Sequence, residues 1–220
     1  MTMDTHTLID ALVADLRPVR RLSPPALRLL GWLVVSVPAV AAIVALEGVR
    51  SDITAQLAEP SFLIEQVTTV ATALVAGWAA LAGCIPGTAR WKLWLPVAPL
   101  SVWIASLGHQ CWSEWILVGA SGMSLRPDWM CLPNIAVIGA LPAIAIVIAI
   151  RRGARLDATP VLWGSLAAAA LADAALRLIH AEDAALMVIV WQFGSVALFT
   201  TALTLFRRFL VPIRTARMLS

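Results

Sequence analysis

The sequence predicts an all-α membrane protein: a bundle of six transmembrane helices with both termini cytoplasmic, preceded by a short amphipathic N-terminal helix. Of its 220 residues, 60% are apolar and 13% are charged, against about 45–50% and about 25% in ordinary soluble domains. The mean hydropathy is +0.87. The net charge of +3 is too small to indicate the basic surface that nucleic-acid binding requires, so we expect no direct nucleic-acid partner.

Six stretches are long and apolar enough to cross a lipid bilayer, which takes about 20 residues in a helix. We predict spans at about 29–46, 62–86, 93–113, 131–150, 158–179 and 184–206. They divide the chain into an N-terminal segment (1–28), a transmembrane domain (29–206) and a C-terminal tail (207–220).

Basic residues concentrate on one side of the predicted spans, and acidic residues on the other. Basic residues on one side number 13: Arg17, Arg20, Arg21, Arg28, Arg90, Lys92, Arg151, Arg152, Arg155, Arg207, Arg208, Arg214 and Arg217. The other side has 3, which are Arg50, Arg126 and Arg177. The acidic residues assigned to that other side are Glu47, Asp52, Glu59, Glu65, Glu114, Asp128, Glu182 and Asp183. Because basic loops stay in the cytoplasm, this asymmetry predicts that both termini are cytoplasmic.

The N-terminal segment contains one apolar helical stripe. Its members are Leu8, Ile9, Leu12, Val13 and Leu16, which share one face at helical spacing. Asp4 or Thr5 can cap the helix, and Pro18 ends it. A helix this short needs a partner that covers its apolar stripe. Three partners are considered: a groove on another protein, the membrane surface, or the underside of its own bundle.

Two cysteines and two histidines are expected at one outer level of the bundle. They are His109, Cys111, Cys131 and His180. An oxidising exterior permits a Cys111–Cys131 disulfide, and thiol with imidazole equally suits a soft metal ion. A third interpretation is that all four residues are structural, as two packed cysteines and two histidines at the membrane interface.

The fifth span contains Asp173 and Arg177, one turn apart. Acid before base at this spacing is the favourable order for an ion pair within a helix. We predict that the two side chains neutralise each other inside the membrane.

No enzyme is predicted. Gly119-Ala120-Ser121-Gly122 matches the GxSG motif of rhomboid proteases, but the predicted sixth span contains no histidine to activate the serine. Disulfide exchange would need a CxxC pair, which is absent from the sequence. We expect no cofactor, apart from a soft metal ion acting as a signal.

Four segments together resemble the NrsF family of bacterial inner-membrane anti-sigma factors, which have six helices and act on extracytoplasmic-function sigma factors. The segments are DTHTLIDALVADLRPVRRLSPPALRLLGWL, SLGHQCWSEW, DWMCLPNI and LRLIHAEDAALMVIVWQFGSVAL. The resemblance implies that the N-terminal segment holds a sigma factor away from RNA polymerase. Its contacts would be the apolar stripe together with Asp10, Arg17, Arg20 and Arg21.

The resemblance also implies sensing of metal or oxidative stress through outer cysteines, and Cys131 matches such a position. The chain departs from the family twice: His180-Ala181 stands where Cys-Pro is frequent, and Gln192 stands where His or Tyr is frequent. Cys111–Cys131 pairing and a Cys/His metal site remain the two options. Alternative functions are a membrane assembly protein with a docking tail, or a transporter that handles metals or thiols.

Overall fold

A computed structural model of the protein describes residues 5–14, 22–119, 130–153, 158–180 and 185–206. Every regular element in these residues is helical. In chain order they are α1 (Thr5–Ala14), α2 (Pro25–Glu47), α3 (Ile53–Gln56), α4 (Pro60–Gly83), a 3₁₀ helix (Arg90–Trp94), α5 (Val97–Val118), α6 (Cys131–Arg151), α7 (Ala158–Ile179), α8 (Ala185–Met187), a π-helical segment (Val188–Phe193) and α9 (Gly194–Leu205).

Proline and glycine set several of the helix ends. Pro25 and Pro60 occupy the first turns of α2 and α4, where a missing N–H costs nothing. Gly48 (φ 87°) and Gly119 (φ 69°) follow α2 and α5 in backbone conformations that favour glycine. Each of these glycines donates its N–H to a carbonyl of the last helical turn, that of Val44 or Trp115.

Among the described residues, five helices are long and apolar enough to cross a membrane: Pro25–Glu47, Pro60–Gly83, Leu132–Arg151, Ala158–Ile179 and Val188–Leu205. They correspond to five of the six predicted spans. The remaining prediction, 93–113, falls on α5, a helix of 22 residues whose His109, Gln110 and Glu114 lower its hydropathy. The all-helical class is confirmed, whereas the count of six spans stays a prediction.

Helix α7 forms the centre of the bundle and packs against α2, α4, α6 and α9. Small residues permit this. A Cβ added to Gly164 of α7 would lie 2.8 Å from Cδ1 of Ile150 and 3.6 Å from Cβ of Ala80. A Cβ on Gly139 of α6 would lie 3.3 Å from Cβ of Ala172. The helix backbones therefore approach more closely here than larger side chains would allow.

At one end of the bundle, Arg28 at the start of α2 links this helix to α4 and α6. Its guanidinium donates hydrogen bonds to the carbonyl of Leu81 near the end of α4 (3.1 Å) and to that of Ala149 near the end of α6. The ring of Trp94, just before α5, meets that of Trp163 in the first turns of α7 edge-on at 5.9 Å. We call this the basic end. It contains Arg28, Arg90, Lys92, Arg151 and Arg152.

The opposite end, which we call the acidic end, contains the end of α2, the start of α4 and the end of α7. The N–H of Arg50 donates to the carbonyl of Leu178 there (3.0 Å). Glu47, Asp52, Glu59 and Glu114 lie at this end. In the described part of the chain, the helix directions therefore separate basic from acidic residues as the alternation predicts.

Candidate functional site

The N-terminal helix α1 has an uncovered apolar face. Ile9 is 49% exposed and Val13 is 58% exposed, and Asp10 on the same helix is also exposed. The side chains of Leu8 and Leu12, and all of Leu16, Arg17, Arg20 and Arg21, lie outside the described residues. In its described part, the apolar stripe is not packed under the bundle.

The cysteines and histidines of interest lie at the acidic end. Cys111 is a free, half-buried thiol in α5, two turns beyond the buried Trp103 and one turn beyond the buried Leu107. His109 is exposed and His180 is half-buried. Cys131 begins α6, but its side chain lies outside the described part of the chain.

No metal centre is assembled by the described side chains: no three of their His, Cys, Asp and Glu residues lie close enough together to hold an ion. His109, Cys111 and His180 therefore do not form a ligand set with one another. A site that includes Cys131, or a Cys111–Cys131 disulfide, stays a prediction.

The loop between α2 and α4 is held against the end of α7 by Arg50, which is 6% exposed. The Arg50 guanidinium donates through Nε and Nη2 to the two oxygens of Asp52, both at 2.7 Å, and through Nη1 to the carbonyl of His180 at 3.4 Å. The hydrogen bonds from Arg50 lower the pKa of the Asp52 carboxyl from 3.8 to about 2. We call Arg50, Asp52 and the Leu178 and His180 carbonyls the loop latch.

Inside the bundle, just below the loop latch, Arg177 of α7 forms a two-point ion pair with Glu65 of α4. Nε of Arg177 lies 2.9 Å from Oε1 of Glu65, and Nη2 donates to Oε2 at 3.0 Å. The ring of Phe62 lies 5.5 Å from the guanidinium carbon, within range of a cation–π interaction. Glu65 is 1% exposed and Arg177 is 3% exposed.

This pairing corrects two expectations from the sequence. Arg177 is joined to Glu65 on a neighbouring helix, whereas the sequence indicated Asp173 on its own helix. Glu65 is buried within α4 and not on the outer surface, because α4 begins at Pro60 and carries Glu65 more than a turn into the bundle. The helix start at Pro60 is the signal that could have revealed it.

Asp173 is 1% exposed, and neither of its carboxyl oxygens has a hydrogen-bond partner among the described residues. The charges of both Glu65 and Arg177 act on it. We call Glu65, Asp173 and Arg177 the buried trio. Gln192, the second departure from the family pattern, is also buried (1% exposed), within the π-helical segment.

These features define a helical protein with several membrane-spanning candidates and an uncovered N-terminal helix face. A family model described as NrsF, negative regulator of sigma F, matches residues 12–211. Since the match covers nearly the whole chain, the protein belongs to the NrsF family, as the resemblance predicted. Neither the curated proteins nor the solved structures include a match to the chain.

Proposed function

We propose that this protein is an anti-sigma factor of the bacterial inner membrane that holds an extracytoplasmic-function sigma factor through its N-terminal segment. The family match carries the proposal, because the family is described as a negative regulator of a sigma factor. The five apolar helices support a membrane location.

Helix α1 is the best candidate for the sigma-binding element. Its exposed Ile9 and Val13 offer an apolar stripe of the kind that amphipathic helices insert into protein grooves. Membrane-surface helices generally have basic polar faces, whereas the described polar residues of α1 include Asp10. A protein groove is therefore the favoured partner.

The separation of charges supports a cytoplasmic position for α1, where a sigma factor could bind it. The chain enters α2 from the N-terminal segment at the basic end, and basic residues favour the cytoplasmic side of a membrane. The acidic end, with Cys111, Cys131, His109 and His180, would face outward. Metal binding or thiol oxidation there is the proposed release signal.

Release would require a substantial change in affinity. Converting a sigma factor from 99% bound to 99% free takes about 5.5 kcal/mol of difference between two states of the anti-sigma factor. Helix bundles can supply such states because their packing is bistable and not continuously deformable.

The binding half is tested by capture of sigma factors from cells on the full-length protein in detergent. Two single substitutions on adjacent residues give a matched pair: Val13→Asp on the apolar stripe and Ala14→Asp on the opposite face of α1. We expect the wild type and Ala14→Asp to retain one sigma factor, and Val13→Asp to lose it at least tenfold.

Equal capture by both variants would show that the stripe is not the binding surface. If the wild type captures no sigma factor in reducing, metal-free buffer, the anti-sigma proposal fails. The alternatives of a membrane assembly protein or a transporter would then be tested by other bound proteins and by flux into vesicles.

The signalling half is tested by sigma-factor release from the wild type and from Cys111→Ser, Cys131→Ser and Cys84→Ser variants, after addition of oxidant or cadmium. Cys84 is fully buried near the basic end and serves as the control. We expect release from the wild type and from Cys84→Ser, and none from the other two. Unchanged release from all variants would exclude the outer thiols as the sensor.

A further inference from the structure

The buried trio contains more acid than base. Among the described charged side chains, Arg50, Glu65, Asp173 and Arg177 are buried. Arg50 is engaged with the Asp52 carboxylate in the loop latch. Within the buried trio, the two carboxyl groups of Glu65 and Asp173 accompany one guanidinium, that of Arg177.

The geometry distinguishes the two carboxyl groups. Glu65 receives both contacts from the Arg177 fork, at 2.9 and 3.0 Å, which is the arrangement of a carboxylate paired with arginine. Asp173 lies one turn before Arg177 on α7 and has no hydrogen-bond donor among the described residues. Repulsion from Glu65 also acts on it.

Within the trio, a second ionised carboxylate would exceed the single positive charge of Arg177 by one unit in an apolar interior. Burying an isolated ion costs far more than keeping its proton, so such groups become neutral. The three side chains are neutral as a set only when one of the two acids is protonated.

We propose that the buried trio is a binding site for a single proton, which Asp173 holds while Arg177 pairs with Glu65, and Glu65 holds when Arg177 pairs with Asp173. In the second arrangement the proton has moved from the Asp173 carboxyl to the Glu65 carboxylate, and the total charge and number of protons are unchanged. The i,i+4 pair that the sequence predicts is this second arrangement.

The exchange would change how two helices are joined. With Arg177 on Glu65, a charged bridge links α4 to α7 next to the loop latch. With Arg177 on Asp173, the pair lies within α7, and α4 presents a neutral acid. This protonation site is separate from sigma-factor binding and does not depend on it.

The other described titratable groups on the elements around α7 lie at the two ends of the bundle. Helix α4 contributes Glu65 alone, and neither the π-helical segment nor α9 has a charged residue. The remaining described groups on α2, α5, α6, the 3₁₀ helix and the loops fall into two sets. At the basic end they are Arg28, Cys84, Arg90, Lys92, Arg151 and Arg152. At the acidic end they are Glu47, Arg50, Asp52, Glu59, His109, Cys111, Glu114, Cys131 and His180.

Infrared spectroscopy tests the site in the full-length protein, purified in dodecyl maltoside, a detergent that contains no carbonyl group. A protonated carboxyl gives a carbonyl band separate from that of carboxylates. At neutral pH we expect one such band from the wild type that shifts when aspartate is labelled with ¹³C. It should be lost in Asp173→Asn.

The Glu65→Gln variant tests the sharing of the proton. With Glu65 neutral, Arg177 has only Asp173 as a carboxylate within the trio, so Asp173 should ionise and its band should disappear although Asp173 is present. Glu47→Gln, which removes an exposed acid at the end of α2, should leave the band unchanged.

A wild type without an aspartic acid band at neutral pH overturns the proposal, and this measurement requires no variant to fold. If thermal stability then rises with sodium concentration, a metal cation occupies the site instead of a proton. A band that persists in a folded Glu65→Gln protein would also overturn the proposal, because the protonation of Asp173 would then be independent of Glu65.

Discussion

The contact between α4 and α7 is built in two different ways along its length. Towards the basic end, a Cβ added to Gly77 would lie 3.7 Å from Cβ of Ala167, and a Cβ added to Gly164 would lie 3.6 Å from Cβ of Ala80. Towards the acidic end, the same two helices are joined by the ion pair of Glu65 with Arg177. We call these the small-residue half and the ionic half of the contact.

The difference between the halves concerns whether the contact can change. Alanine and glycine have no alternative rotamers and no proton to exchange, so the small-residue half has a single close-packed arrangement. The ionic half contains a long arginine side chain with two acceptors within its own trio. A contact that alternates between two pairings can therefore form in the ionic half, whereas the small-residue half keeps α4 and α7 aligned.

The largest expected effect comes from removing both acids in the ionic half. The Glu65→Gln, Asp173→Asn double variant leaves Arg177 buried without a carboxylate from the trio, which should lower the free energy of unfolding by about 3–5 kcal/mol. Each single variant keeps one acid for Arg177 and should lose less than half of that. Unfolding in detergent measures all three, and additive losses would show that the two acids do not substitute for one another.

A smaller effect is expected in the small-residue half. Gly164→Ala places a methyl group 2.8 Å from Cδ1 of the buried Ile150, and such overpacking should cost about 1 kcal/mol. Gly31→Ala is the matched control, since a Cβ at Gly31 of α2 has no atom within 4 Å. It should stabilise the helix by about 0.5–1 kcal/mol. Thermal unfolding of both proteins should therefore shift in opposite directions, and a shared direction would contradict the close packing at Gly164.

The smallest expected effect is the pH dependence of the loop latch. Because Arg50 lowers the pKa of Asp52 in the folded state from 3.8 to about 2, the carboxylate stabilises the fold above pH 3.8 and loses this effect as the pH falls towards 2. Asp52→Asn should therefore unfold at a lower temperature than the wild type at pH 7, with the difference shrinking at pH 2.

Asp10→Asn, which changes an exposed carboxyl of α1, is the control for this comparison and should follow the wild type at both pH values. A difference between Asp52→Asn and the wild type that is independent of pH would mean that the latch acts through packing and not through charge.

Much of the fold followed from local patterns. Hydropathy located five of the apolar helices to within a few residues, and the predicted fifth span, 158–179, coincides with α7. Alternation of basic and acidic residues separated the two ends of the bundle. The stripe of α1 was also visible in the sequence, and its uncovered Ile9 and Val13 agree with a need for a partner.

The buried trio shows where sequence reasoning stops. The pairing of Asp173 with Arg177 was inferred from their separation of four residues, and that separation does place them on one face of α7. What the sequence did not reveal is that Glu65, 112 residues away along the chain, lies against the same face.

Span length, charge alternation and the amphipathic tail were determined by the sequence alone, because each depends on residues within a few turns of one another. The partner of Arg177, the burial of Glu65 and the central position of α7 were decided only by tertiary structure. They depend on which faces of distant helices meet, and in this bundle that is set by the small residues that allow α4, α6 and α7 to approach.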